Sequence, residues 1–504
     1  MKLKLIFLFL VVMLYSCRPA DHANEKQQFS TGSSKALDNY IDEVKEALLL
    51  PGISVVVIQG DSVYCHAAGI ADEQKNLLKV NLPFSAGSIS EPMLAMAVMK
   101  LTAAGKINLD DPVSQYLPYF KMGGSVNRSV TIRHLLSHTS GVQKYTLMWD
   151  VPNHAPGALE VTTRSIANQQ PKFPVPGSRV SRSPYNYDIL ADVITKVTGQ
   201  PFEAYVEKAV FKPLQMNSSY FRKPRVAVMP FSVTDWLTYT VKQDSLYPYN
   251  RENGGSNGLH CSTTDIASWM YMILNQGKTA QKTFVKEVVF DQFFSPQYQT
   301  GDQAAVGFGW EISDKSGEQK YTKQSKITNF SSMVTLIPET KTGVAVFSNI
   351  GNADTEEITS NIILWIKGSR LPRPKMPVHI AMSRKLAETN SMEEALHTYV
   401  RLKQSHSAQY DLGEAALNSF GTGLLKHFQD YEKAIAVFKF CTDQFPLSAT
   451  GYLNLAEAYA ARRNFAAARA ALERSRPFQT SRNWNHSLAI ERYISGLTAD
   501  PDPG

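Results

Sequence analysis

Cysteine is scarce in this chain. Cys17, Cys65, Cys261 and Cys441 are the four in 504 residues, with no Cys-x-x-Cys pair and no Cys/His cluster. That pattern argues against a metal site, and the cysteines after Cys17 are expected as buried free thiols. Runs of like charge are also missing. The net charge of +7 is mild and spread along the sequence, which excludes a nucleic-acid partner. Beyond the N-terminus no segment is long and apolar enough to cross a membrane as a helix. A hydrophobic content of 43 % with 19 % charged residues is that of an ordinary globular chain, long enough for several domains. No cofactor is expected.

The exception to the apolar scarcity is the start. "MKLKLIFLFLVVMLYSC" has a basic beginning, an apolar core from Leu5 to Leu14, and Ser16-Cys17. The core is too short to span a bilayer and reads as a signal h-region. A small residue before a cysteine resembles a bacterial lipobox, although Tyr15 departs from that pattern. The alternative is an ordinary signal peptide cut near Cys17. Residues 1–17 are therefore expected to be a lipoprotein signal, with lipidation at Cys17 tethering the chain to a membrane in the bacterial cell envelope, outside the cytoplasm. Residues 18–35 are polar and aperiodic and read as a flexible tether.

A mixed region covers 36–367. It opens on the helical stretch "LDNYIDEVKEAL", followed by "GISVVVIQGDSVYCHAAGIAD", two strands about the turn Gly60-Asp61. It closes with "MVTLIP", the turn "ETKTG", "VAVFSN" and a last helix, "EEITSNIILWIKG". Strands at both ends with helices between imply an α+β domain whose sheet is assembled from distant segments. Residues 368–377, "GSRLPRPKMP", are a Pro-rich linker. From 378 to 500 the pattern is helical. "YEKAIAVF" at 431–438 recurs as "FAAARAAL" at 465–472, an offset of 34 residues, with small residues at Gly421, Ala434, Ala456 and Ala468. "MEEALHTY" at 392–399 belongs to an earlier unit. Two to three units of this period resemble tetratricopeptide repeats, against the plainer reading of a helical hairpin bundle.

Several ordered segments of the mixed region carry a second resemblance. They are "FSAGSIS" with "KLTAAGKINLDDPVSQYLP", "VTIRHLLSHTSGV" at 130–142, "YDILADVITKVTGQPFEAYVEKAVFKPLQMNSSYF" at 187–221, "GGSNGLHCSTTDIASWMYMILNQGK" and "GFGW". Together these resemble the serine β-lactamase and penicillin-binding-protein-like hydrolases, in the branch of class C β-lactamases, D-aminopeptidases and esterases. The resemblance implies an antiparallel sheet flanked by helices, plus a helical subdomain.

It also implies three catalytic motifs. Ser-x-x-Lys sets an amine beside a serine hydroxyl on one helix face, because the hydroxyl is a poor nucleophile until a base takes its proton. Here that motif reads Ser88-Ile89-Ser90-Glu91, and no Ser-x-x-Lys occurs elsewhere. The Tyr-x-Asn motif falls on Arg182-Ser183-Pro184, with Tyr185 able to substitute only if the loop is re-registered. The Lys- or His-x-Gly motif falls on Lys323-Gln324-Ser325. A literal Lys341-Thr342-Gly343 belongs to the turn of the closing hairpin.

Ser88 is thus the candidate nucleophile, with Glu91 in place of the lysine, Arg182 in place of the tyrosine and Lys323 as the retained cation. If the registers hold, Glu91 and Arg182 face each other with Lys323 nearby. An ion pair with Arg182, extended to Lys323, would lower the Glu91 pKa and favour an inactive site. The opposing reading makes Glu91 the general base for Ser88 in a divergent hydrolase. His134 and His138 are spaced i, i+4, but no third ligand accompanies them and no metal is expected. The aromatics of 231–250 either line a pocket mouth or pack a loop. The partner is expected to be a peptide, glycan or protein at the cleft or the helical repeats.

Overall fold

The computed structural model describes residues 31–122, 130–143, 152–167, 169–315, 317–480 and 483–496. The signal-like segment, Cys17 and the tether up to residue 30 lie outside them. Helix α1 (Thr31–Ala47) begins inside the stretch expected to be tether. The reason is its stripe of Leu37, Tyr40, Ile41 and Val44, spaced for one helix face and buried against the sheet.

Strands β1 (Gly52–Gln59) and β2 (Ser62–Gly69) form the expected hairpin, with Gly60 at φ +60° in its turn. Helix α2 (Ser90–Ala103) follows a single 3-10 turn, Gly87–Ile89. Helix α3 (Tyr185–Thr198) and helix α4 (Thr263–Leu274) pack with α2 in one large core. The chain then returns to the sheet as β3 (Tyr298–Gly301), β4 (Ala304–Val306), β5 (Glu311–Lys315), β6 (Glu318–Ile327), β7 (Phe330–Ile337) and β8 (Thr342–Ser348), and closes with helix α5 (Thr355–Ile366).

The eight strands lie in the order β2-β1-β8-β7-β6-β5-β4-β3, antiparallel throughout. Both faces of the centre are covered, so β1 and β8 are apolar without alternation. Ile53, Val55 and Val57 meet α1 and α5, while Val56 and Ile58 join the core of α2 and α4. Lys341-Thr342-Gly343 straddles the β7–β8 turn and the start of β8. Lys341 takes the left-handed conformation (φ +47°), and Gly343 lies in the strand, where a Cβ would come within 2.8 Å of Met270. Close packing against α4 accounts for that glycine rather than the turn.

Residues 376–377, in the stretch expected to be a linker, pair parallel with Tyr410-Asp411. Beyond them come three helical hairpins, α6 (Val378–Thr389) with α7 (Met392–Ser405), α8 (Glu414–Lys426) with α9 (Tyr431–Gln444), and α10 (Ala449–Ala461) with α11 (Phe465–Ser475), then α12 (Trp484–Ile494). Ser391, Asp430 and Asn464 each cap the second helix of a hairpin, accepting from the backbone N–H three residues on. Small residues set the helix spacing: a Cβ on Gly421 would lie 2.4 Å from Phe438.

A projection from the sheet domain reaches into the helical region. Phe231–Asp235 and Thr240–Gln243 form a two-stranded hairpin with Trp236 near its tip. The indole stacks on His379 of α6 (centroids 5.8 Å) and Phe420 of α8 (6.3 Å). Gly423 leaves room for it, since a Cβ there would lie 2.3 Å from the ring.

Candidate functional site

The site is built where the N-terminal end of α2 meets β6. In β6, Tyr321, Lys323, Ser325 and Ile327 are buried, whereas Thr322, Gln324 and Lys326 are not, so the alternation of a strand turns Lys323 and Ser325 inward together. Ser88 occupies the 3-10 turn before α2. That turn is fixed from several sides: Ala86 N–H donates to Leu259 O, and Ser90 Oγ donates to Gly87 O (2.6 Å) and accepts from Leu259 N–H. Gly87 is at φ +50°, and a Cβ there would meet Ser325 Oγ and Ile327.

Ser88 has two polar contacts that reach beyond its own turn. Its backbone N–H donates to Ser325 Oγ (2.9 Å), and its hydroxyl reaches Asn257 Oδ1 at 3.4 Å. Asn257 spends its amide on Ser256 Oγ (2.8 Å), which leaves the carbonyl oxygen facing Ser88. Among the described residues no amine, imidazole or carboxylate hydrogen-bonds Ser88 Oγ.

Glu91 is buried, and one carboxylate oxygen accepts from both Lys323 Nζ and His138 Nε2, the latter at 3.2 Å. Burial alone would raise this carboxyl. Lys323, then His138, with a smaller contribution from Arg182, outweigh it and bring the pKa down from 4.5 to about 2. Burial pushes the Lys323 amine below its ordinary value, against the pull of Glu91. It likewise lowers His138, so the imidazole is neutral near pH 7. Its tautomer follows from its neighbours. Nδ1 accepts from Asn186 Nδ2 (2.9 Å) and from Ser183 N–H (3.4 Å), which leaves the proton on Nε2 to donate to Glu91. Asn186 is oriented in turn by Ser140 Oγ, which donates to its Oδ1 (2.6 Å).

The structure brings Ser88, Glu91, Lys323 and Ser325 together, but not Arg182 in the expected way. The guanidinium pairs with Glu311 of β5 (2.7 Å), with both side chains largely in solvent, and acts on Glu91 only through its longer-range field. Pro184 explains this geometry. It opens α3, and Ser183 beside it is fully buried, its Oγ donating to Gln143 O, so its neighbour Arg182 points outward. Tyr185 starts α3 with its hydroxyl on Ser165 and supplies no substitute for the missing phenol.

His138 is the functional neighbour that sequence reasoning missed. The short helix Ile132–Leu136 ends before it, and it sits at φ +54°, so it does not share a helix face with His134. His134 caps that helix through Thr131. Among the described residues no group of three or more His, Cys, Asp or Glu could hold a metal. Cys65, Cys261 and Cys441 are free thiols; Cys261 and Cys441 are buried as expected, whereas Cys65, on the β2 edge strand, is only half-buried. The aromatics of 231–250 divide: Trp236 joins the helical region, whereas Tyr247 and Tyr249 are buried beside His260.

Chemically, the Ser88 hydroxyl has the Asn257 carbonyl oxygen as its hydrogen-bond partner among the described residues. The Ser88 N–H, a donor of the kind that stabilises an oxyanion, is already committed to Ser325.

Residues 37–364 match the family model described as Beta-lactamase. Protein flp of Staphylococcus aureus (strain N315) is 24 % identical over 338 residues, which cover 66 % of this chain and 67 % of that protein. The putative penicillin-binding protein PbpX of Bacillus subtilis (strain 168) is 25 % identical over 339 residues, 65 % of this chain and 77 % of its own. The structure of the octameric penicillin-binding protein homologue from Pyrococcus abyssi aligns with a TM-score of 0.56 at 23 % identity, over 72 % of this chain and 82 % of that one. That likeness is one of fold, the antiparallel sheet with flanking helices expected from the ordered segments.

Proposed function

Because the chain belongs to the Beta-lactamase family, we propose that it keeps the family's cleft but has given up its acyl-transfer chemistry, and acts as a non-catalytic binding or scaffolding protein. The observation that carries this reading is the commitment of Glu91 to Lys323 and His138. A carboxylate with a pKa of about 2 is a poor proton acceptor near neutrality, where a general base works best with a pKa close to the ambient pH. The Ser325 hydroxyl on the Ser88 N–H adds to it. In this reading the motifs Ser88-Ile89-Ser90-Glu91, Arg182-Ser183-Pro184 and Lys323-Gln324-Ser325 are degraded copies of catalytic ones.

The same reading places the protein in a bacterial cell envelope, held by a lipid on Cys17, and takes the C-terminal helices as tetratricopeptide-like repeats. The signal-like N-terminus supports the first, and the 34-residue offset between "YEKAIAVF" and "FAAARAAL" supports the second. A peptide, glycan fragment or protein would occupy the cleft or the repeats.

The test is covalent labelling. A fluorescent penicillin and a fluorophosphonate are expected to leave the protein unlabelled, and a panel of esters to remain unhydrolysed. Labelling that disappears in Ser88→Ala would overturn the proposal in favour of a divergent serine hydrolase acting through Ser88.

A further inference from the structure

A cavity of about 620 Å³ lies between the C-terminal end of α3 and the segment 249–251, apart from the Ser88 cluster and unused by it. Its lining includes His154, Tyr249, Arg222, Lys223 and Arg251, and it contains no carboxylate among the described residues. We propose that this is a second binding pocket, for a ligand that carries an anionic head, carboxylate or phosphate, on a flat or apolar body.

Three features carry the assignment. The first is rigidity. Arg251 is buried and acts as a clamp, holding Glu203 through Nε (2.6 Å) and donating through Nη1 to the carbonyls of Ala155 (2.9 Å) and Pro156. Asn153 completes it, with its backbone N–H on Asn250 Oδ1, its amide on Glu252 Oε1, and its carbonyl accepting from Arg251 N–H. The wall that bears His154 is therefore tied to the wall that bears Tyr249 before any ligand arrives, which spares a ligand the cost of ordering them.

The second feature is the flat surface. The rings of His154 and Tyr249 stack at 5.4 Å with only 9° between their planes. Gly199, left-handed at φ +68°, ends α3 without a side chain, and a Cβ there would meet nothing within 4 Å. Room therefore remains beside the aromatic pair for an apolar body.

The third is charge. Glu203 balances Arg251, which leaves Arg222 and Lys223 to set the sign of the rim. Arg222 lies 3.6 Å from the same Glu203 oxygen and is mostly in solvent, and the Lys223 amine stands 4.3 Å over the Tyr247 ring. A guanidinium fork beside an ammonium suits either carboxylate or phosphate oxygens. The volume is in the range of small-molecule sites, roughly 300 to 1,000 Å³.

The full-length chain should be titrated at low ionic strength with benzoate and with phenyl phosphate, and with benzyl alcohol as the uncharged control, followed by saturation-transfer NMR. At least one anion is expected to bind with Kd on the order of 1 mM or tighter, and the alcohol not to bind. The anion that binds tells carboxylate from phosphate. Arg222→Gln/Lys223→Gln neutralises two exposed side chains without setting a new anion beside Glu203, and should melt close to the wild type while binding about tenfold or more weakly. His154→Ala should weaken binding less, through loss of the stack. The proposal is overturned if neither anion binds, if benzyl alcohol binds equally well, or if the charge-neutralised variant binds unchanged.

Discussion

Replacing Glu91 by glutamine keeps the shape of the side chain and removes its charge. Lys323, 1 % exposed, would then be a buried cation with no anion beside it. Two independent routes give the size of the effect. The depression of the Glu91 carboxyl from 4.5 to about 2 corresponds to about 3 kcal/mol of preferential stabilisation of the charged form. Breaking a buried pair by removing one partner costs about 3–5 kcal/mol. There is also a ceiling, because Lys323 can shed its proton instead: taking an amine of pKa 10.5 to neutrality at pH 7 costs about 5 kcal/mol.

Glu91→Gln is therefore expected to lower the melting temperature of the sheet domain by roughly 5–10 °C, at about 2 °C per kcal/mol for a domain of this size. Lys323→Met should cost a similar amount. The double variant Glu91→Gln/Lys323→Met should recover most of the loss, since an uncharged pair of similar volume removes both desolvation penalties. Thermal melts of the four proteins, followed by near-UV circular dichroism, form a double-mutant cycle. A Glu91→Gln protein that melts within about 1 °C of wild type, or a double variant whose loss is the sum of the singles, would refute the assignment of Lys323 as the partner of Glu91.

Acid should probe the same carboxyl. Its folded pKa is depressed, so its contribution is complete above about 4.5 and is lost as the pH falls towards about 2. Urea midpoints measured across that window should fall more steeply for wild type than for the double variant. Ser325→Gly releases the Ser88 N–H and should cost about 1 kcal/mol without conferring esterase activity, as read by urea melts and a chromogenic ester; turnover in that variant would mean that Ser88 needs no base of its own. At the domain junction, Trp236→Ala removes the indole stacked on His379 and Phe420. It should cost about 3 kcal/mol and quicken proteolysis in the linker 368–377. Gly423→Val should produce the same cleavage by driving a side chain into the indole.

Much of this architecture can be read from local pattern. The hairpin of β1 and β2, the closing pair β7 and β8, and the spacing of the helical hairpins follow from apolar runs, turn residues, helix caps and small residues at contact positions. Their determinants lie within a few residues of the elements they specify. The placement of Ser88, Glu91 and Lys323 in one site was legible through ordered segments, because strand alternation carries Lys323 and Ser325 to the same face. What could not be read was which cation serves Glu91. That choice depends on Pro184 starting a helix and on the burial of Ser183, which turn Arg182 out towards Glu311. The place of His138 beside Glu91 could not be read for a related reason. Its role is set by a left-handed backbone and by hydrogen bonds from Asn186 and Ser183, 45 to 48 residues further along the chain. The first turn of α1 reads as tether in the sequence because its polar residues hide a stripe that becomes apolar only from Leu37 onward.

The pairing of Glu91 with Lys323 also constrains how this protein can drift. Changing either residue first leaves an uncompensated buried charge beside His138, in a chain whose whole stability margin is of the order of 5–15 kcal/mol. A lysine at 91 would stand against Lys323, and a neutral residue at 323 would abandon Glu91 to a neutral imidazole. Each single step descends into a valley, and the double step is rare. The polarity of the site, once acquired, is therefore held in place by the folding of the domain itself, even when no ligand or reaction selects for it.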